Sequence, residues 1–177
     1  MTKRIQTSLP GPCMSRKLIA AVAIFLLGSC FKDELVSSDG NPGKASIYSE
    51  NGHFFARVIF GQLAQGPPGH VHGGAIAAVL DEAMGAVAWM NDFTAMTVNL
   101  EVQYYKSVKL ETVAYVEAWV DRSEEKKVYV KGILVSEDES LYAEANSLFI
   151  RQSKEQFQSM GDIPDYLFQR YTPKKSD

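Results

Sequence analysis

A chain of 177 residues, 46% hydrophobic and 22% charged, has the size and composition of one globular domain with extensions. Its formal net charge of −3, with lysines and arginines scattered, excludes the basic footprint of a nucleic-acid-binding protein. The two cysteines, Cys13 and Cys30, both precede the main hydrophobic pattern, so neither a disulfide framework nor a cysteine metal site is available to the core.

Residues 1–44 read as an N-terminal extension. Arg16-Lys17 precede an apolar run from Leu18 to Leu27, which ends in Gly28-Ser29-Cys30. With Met14 as the start, this is a charged segment, an apolar segment and a small-residue cleavage site, and Leu27–Cys30 resembles a bacterial lipoprotein box. The alternative is a packing helix laid over the domain or over a partner subunit. The run is shorter than the roughly 20 apolar residues that a spanning helix needs. Residues 33–44 have the Ser, Asp, Gly and Pro content of a linker.

The domain is expected over residues 45–151. Ala45–Tyr48 and Phe54–Phe60 flank Asn51-Gly52, a short-range hairpin signal. A Gly/Pro loop over residues 62–69 leads to Gly73, where a helix about 27 Å long is expected to run to Met90. That helix is small and apolar on nearly every face, so it should be buried. Met96–Tyr105, Thr112–Asp121, Lys127–Val135 and Leu141–Arg151 read as strands from their β-branched and aromatic content, joined by short polar turns. One long helix followed by antiparallel strands is an α+β arrangement. Residues 152–177 form a polar tail, with an apolar patch at Ile163–Phe168 able to dock on the domain.

Chemistry concentrates around the helix. Gly73 and Gly74 stand at its start, where backbone N–H groups lack intrahelical partners and the dipole is positive. Preset donors of this kind stabilise a developing oxyanion; the plainer reading is a helix start that needs small residues to pack. Asp81 and Glu82 interrupt the apolar run, and a buried carboxylate is costly without partners or a task. They project about 100° apart, so one at most faces a given site. The solvated-face reading suits Glu82 better. His72 at the helix entry is either a residue that satisfies backbone groups or a neighbour of a reaction centre. His70-x-His72 with nearby carboxylates permits a metal reading, a poor one with three histidines and no cysteine in the domain. There is no P-loop, Gly-x-Ser-x-Gly elbow or dinucleotide fingerprint.

The stretch from Gly69 through His72-Gly73-Gly74 to Asp81 resembles the HGG…D signature of hotdog-fold acyl-CoA thioesterases of the PaaI-like and THEM-like type. Thr94 to Lys106 resembles that family's second strand, which carries a threonine or serine and ends in a Tyr-Lys-like element. The resemblance implies a curved antiparallel sheet wrapped round one central helix, and hydrolysis of a CoA-linked acyl or aryl thioester without metal or cofactor. It implies Asp81 as general base or, second, as nucleophile, Gly73 as backbone oxyanion donor, Thr97 as holder of the attacking water, and His72 as their structural or polarising neighbour. Many relatives carry an Asn or Gln before HGG as a second donor, for which Gln65 is the loose candidate here. Gly74, Met84 and Lys106 are further substrate-contact candidates, Met84 within an apolar wall with Ile76, Leu80, Trp89 and Met90, and Lys106 among several cations for the CoA phosphates. The family arrangement implies a homodimer or homotetramer, with Gly73 of one chain facing Asp81 and Thr97 of another. Such an enzyme belongs in the cytoplasm with its CoA esters, with membrane contact only through the N-terminal segment. The competing location is a membrane, through a lipid-modified Cys30. The competing function is a non-catalytic acyl- or aryl-binding module on the same fold.

Overall fold

Asn51 and Gly52 have φ values of 51° and 80°, the pair of positive angles that lets a two-residue turn follow the twist of its strands. β1 (Ile47–Glu50) therefore returns at once as β2 (His53–Ile59), with Glu50 opposite His53. The computed structural model describes residues 47–159. The apolar run Leu18–Leu27, Cys30 and the Ile163–Phe168 patch lie outside the described residues.

After β2 the chain makes a short 3-10 turn (Gln62–Ala64) and a loop, then enters α1 (Gly73–Met90), the span expected from the sequence. β3 (Ala95–Tyr104), β4 (Val113–Ser123), β5 (Lys127–Val135) and β6 (Leu141–Arg151) follow. All pairings are antiparallel and the strand order is β1-β2-β4-β5-β6-β3. α1 thus leaves the β2 side and delivers the chain to the far edge, where, among the described residues, β3 pairs only with β6. The expected α+β architecture is present, one long helix on one six-stranded sheet.

Burial alternates along β4, β5 and β6, as a sheet with one packed face requires. On β5, Val128, Val130 and Leu134 point inward, and Gly132 takes the position between Val130 and Leu134. A Cβ on Gly132 would lie 3.2 Å from Met84 Cγ and 3.4 Å from Leu80 Cδ2. The missing side chain is what lets α1 settle on the sheet. Ala114 and Ala118 on β4, and Ala143 and Ala145 on β6, extend this small-residue floor.

The helix buries Ile76, Val79, Leu80, Ala83, Met84 and Val87, the recurrence of a single face. The expectation of burial on nearly every side is corrected: Gly74 and Ala78 are exposed, and Ala77, Asp81 and Gly85 only half-buried. One sheet covers one side of a helix, however apolar the other is. α1 is long and apolar enough to cross a membrane by length and composition, yet its packed face is that of a domain core.

The ordered chain continues past residue 151. Ser153 and Gln156 form a reciprocal capping box that starts α2 (Lys154–Gln158), and Phe157 meets Trp89 of α1 edge-on at 5.4 Å. Gly132→Val is expected to lower unfolding free energy by ~1–3 kcal/mol through overpacking beneath α1. A urea titration with an unchanged midpoint would refute the nesting.

Candidate active site at the start and middle of the helix

The loop before α1 folds back on itself. Gly66 N–H donates to the His70 carbonyl at 2.9 Å, and His72 N–H donates to the Ala64 carbonyl at 2.8 Å. Val71 N–H donates to the Val108 carbonyl at 2.9 Å, which fastens the loop to the segment after β3. A Cβ on Gly66 would sit 2.9 Å from His72 Cα, so only glycine permits this approach.

Held in this way, His72 caps the helix. Its Nδ1 accepts from Gly74 N–H at 2.9 Å. Neutral His72 therefore carries its proton on Nε2, a tautomer assigned from this hydrogen bond. A Cβ on Gly74 would lie 2.9 Å from the same Nδ1. Gly74, expected as a substrate contact, is exposed; its N–H is engaged by His72, and its lack of a side chain makes room for the imidazole. His70 is committed separately, its Nδ1 3.0 Å from the Pro68 carbonyl, so the two rings do not converge.

Gly73 is different. Its N–H has no partner among the described residues, while its carbonyl accepts from the Tyr104 hydroxyl at 2.8 Å. It is the open donor at the positive end of α1.

Asp81 lies on the partly open side of the helix, and its Oδ1 accepts from Thr97 Oγ1 at 2.9 Å. Thr97 stands beside a β-bulge: it pairs with Phe149 while Asn99 pairs with Leu148, leaving Val98 as the extra residue. Bulges re-aim side chains next to sites. This one is braced by Ser147, buried in β6, whose hydroxyl donates to the Asn99 carbonyl at 2.7 Å. Sequence reasoning missed both the bulge and Ser147. The available signal was a serine among the inward-facing Ala143, Ala145 and Phe149.

Glu82, expected on a solvated face, is corrected. Its Oε1 is buried without a hydrogen-bond partner among the described residues. Burial, and then the charge of Asp81, push its pKa above the ordinary glutamate value. Met84 is also corrected as a substrate contact, together with Ile76 and Leu80 as pocket wall: these side chains face the sheet and are buried in the core, away from Asp81. Trp89 and Met90 are half-buried. Gln65 is exposed in the loop, where its Oε1 accepts from Gly69 N–H at 3.2 Å and its NH2 group is left as a donor. Of the cations considered for phosphate, Arg122 lies over the Tyr129 ring at 3.6 Å and Arg151 over the Phe93 ring at 4.3 Å. Lys106 is exposed just beyond β3.

The fold is that of hotdog thioesterases. A hypothetical thioesterase from Streptococcus pneumoniae TIGR4, solved with coenzyme A, superposes with a TM-score of 0.64 at 16% identity over 78% of this chain and 98% of that one. Zebra fish thioesterase superfamily member 2 gives 0.60 at 16% identity, over 77% and 95%. Residues 68–143, from the loop before His72 into β6, match the family model of the thioesterase superfamily. The mouse acyl-coenzyme A thioesterase THEM4 is 41% identical over 92 residues, which are 51% of this chain and 40% of that protein. The human acyl-coenzyme A thioesterase THEM5 is 27% identical over 97 residues, 54% and 39% of the two chains. The chain thus spans about two fifths of the length of these curated relatives.

Because the folded state raises Glu82 above the ordinary value of 4.5, it binds the proton more tightly than the unfolded chain does. The carboxyl costs nothing below that value, and its cost sets in as pH rises through the native titration. Glu82→Gln is expected to raise the melting temperature by a few degrees at pH 8, with the gain fading toward pH 4. Calorimetry at both pH values checks this; an equal shift at both would place the effect elsewhere.

Proposed function

We propose that this chain hydrolyses the thioester of a CoA-linked acyl or aryl group, with Asp81 as general base and the Gly73 N–H as oxyanion donor. The observation that carries the reading is the Thr97–Asp81 hydrogen bond on a helix whose first N–H is unengaged. Relatives named acyl-coenzyme A thioesterases, and a structural neighbour solved with coenzyme A, support the substrate class.

In this mechanism Asp81 takes a proton from a water held beside Thr97, and the resulting hydroxide attacks the thioester carbonyl carbon. The carbonyl oxygen gains charge facing the Gly73 N–H at the positive end of α1, with the Gln65 amide as second donor. Collapse breaks the carbon–sulfur bond, and the CoA sulfur recovers the proton from Asp81. The products are the free acid and the CoA thiol. His72 acts by fixing the helix start, and Lys106 is the candidate for a CoA phosphate.

One chain does not complete this site. Gly73 and Asp81 are eight residues apart, ~12 Å along the helix axis, whereas a reacting carbonyl needs both groups within about 3 Å of its own atoms. β3, the edge strand, exposes Met96 and Val98, the latter at 58%, together with Tyr104. A long apolar edge calls for a cover. Two copies joined along β3 across a two-fold axis would bring Gly73 of one to Asp81 and Thr97 of the other, so a homodimer, or a tetramer built from it, is the proposed active form. The proposed location is the cytoplasm, where CoA esters are formed, with membrane contact confined to the N-terminal segment.

Free-thiol release from a panel of short, long and aromatic acyl-CoAs tests the activity. Asp81→Asn should lower turnover by roughly 10²–10⁴-fold, and near wild-type turnover would sink the assignment. Saturable binding without hydrolysis in the wild type would identify a ligand-binding module instead.

Equal mixing of Asp81→Asn and Gly73→Val chains should restore about a quarter of wild-type activity, because half the dimers are mixed and each holds one intact site. Sites contained in single chains would give none.

A further inference from the structure

The peptide unit between Gly73 and Gly74 is held at both ends. Its carbonyl accepts from the Tyr104 hydroxyl at 2.8 Å, and its N–H donates to His72 Nδ1 at 2.9 Å. The preceding peptide carries the open Gly73 N–H, and the two units meet at the Gly73 α-carbon. That carbon bears no side chain, so its dihedral angles are soft. Within the helix, the donor's own peptide is held at the His72 carbonyl, which accepts from Ala75 and Ile76 N–H at 2.9 and 3.3 Å. A donor that must face a developing oxyanion within a few tenths of an ångström needs more than this.

Tyr104 supplies it from another element. It sits at the last residue of β3, the strand that also carries Thr97. A Cβ on Gly73 would lie 3.4 Å from Tyr104 Cζ, so the ring covers the glycine as well as bonding its carbonyl. β3 thus touches α1 at the carboxylate through Thr97 and at the helix start through Tyr104.

We infer that Tyr104 is a positioning residue for the oxyanion donor: its hydroxyl, opposing the His72 cap, fixes the Gly73–Gly74 peptide, and with the His72–Gly73 peptide held at the His72 carbonyl this sets the Gly73 dihedral angles and the direction of its N–H. The inference rests on the thioesterase reading. It concerns the transition state alone, because the bond acts on a donor whose partner gains charge only as the reaction proceeds.

Tyr104→Phe keeps the ring and removes the hydroxyl. With the acyl-CoA that the wild type turns over best, kcat is expected to fall roughly tenfold, a part of the ~10²–10³ that loss of a whole oxyanion donor costs. KM should stay within about twofold, and the melting temperature within about 5 °C of wild type. Amide ¹⁵N relaxation should show lower order at Gly73 and faster hydrogen exchange at Gly74 in the variant. Wild-type kcat with unchanged Gly73 order overturns this inference and leaves the thioesterase reading intact, as does a loss of activity merely proportional to lost folded protein. A fall in kcat with Gly73 order unchanged means that Tyr104 meets the substrate directly, which also overturns a positioning role. A wild type that hydrolyses no acyl-CoA removes both readings together.

Discussion

The seating of Leu80 and Met84 over Gly132 sets the rotation of α1, and the rest of the site inherits it. With residue 80 aimed into the sheet, residue 81 is turned by about 100° toward β3, and residue 82 by the same amount again, away from Asp81. The two adjacent carboxylates acquire different surroundings for this reason. Asp81 meets a threonine hydroxyl on the edge strand, whereas Glu82 has an oxygen taken out of water with no partner among the described residues. Their order in the chain says little about this difference; the packing of the residue before them says most of it.

Two devices then refine what the packing sets. At the helix start, Gly66 and Gly74 leave space on either side of His72, so one imidazole can cap the helix while its backbone is held by Ala64. In the middle, the extra residue in β3 brings Thr97 to Asp81, and the Ser147 hydroxyl braces the backbone just beyond it. A buried serine bonded to a carbonyl is worth about 0.5–1.5 kcal/mol, enough to hold a local irregularity that strand pairing alone would tend to straighten.

Features governed by neighbours in sequence were legible without coordinates. Asn51-Gly52 announced its hairpin, the glycine pair and apolar run marked α1 at both ends, and β5 and β6 occupy the expected spans. Features governed by neighbours in space were not. Composition marked α1 as apolar all round and so concealed which side meets the sheet, which is why Met84 was assigned to a binding wall and Glu82 to solvent. The role of Gly74 was hidden because its constraint is an imidazole two residues earlier that had first to be folded over it. The bulge at Val98 leaves no mark in a strand already rich in β-branched residues. Pairing of β3 with β6 rather than β4 depends on α1 spanning the sheet, and periodicity carries no such information.

The strand order also has a bearing on how the chain is made. Among the described elements, the β1–β2 hairpin precedes α1 on the ribosome, while β4, β5 and β6 are translated later. Synthesis at ~5–20 residues per second leaves on the order of 3–12 s between Met90 and Arg151. Throughout that interval a nascent helix with the hydropathy of a membrane span waits for its floor. The helix can bury its packed face only once the strands that form its floor have followed it out. The same Leu80–Met84 face that organises the finished domain is the most hazardous surface of the unfinished one.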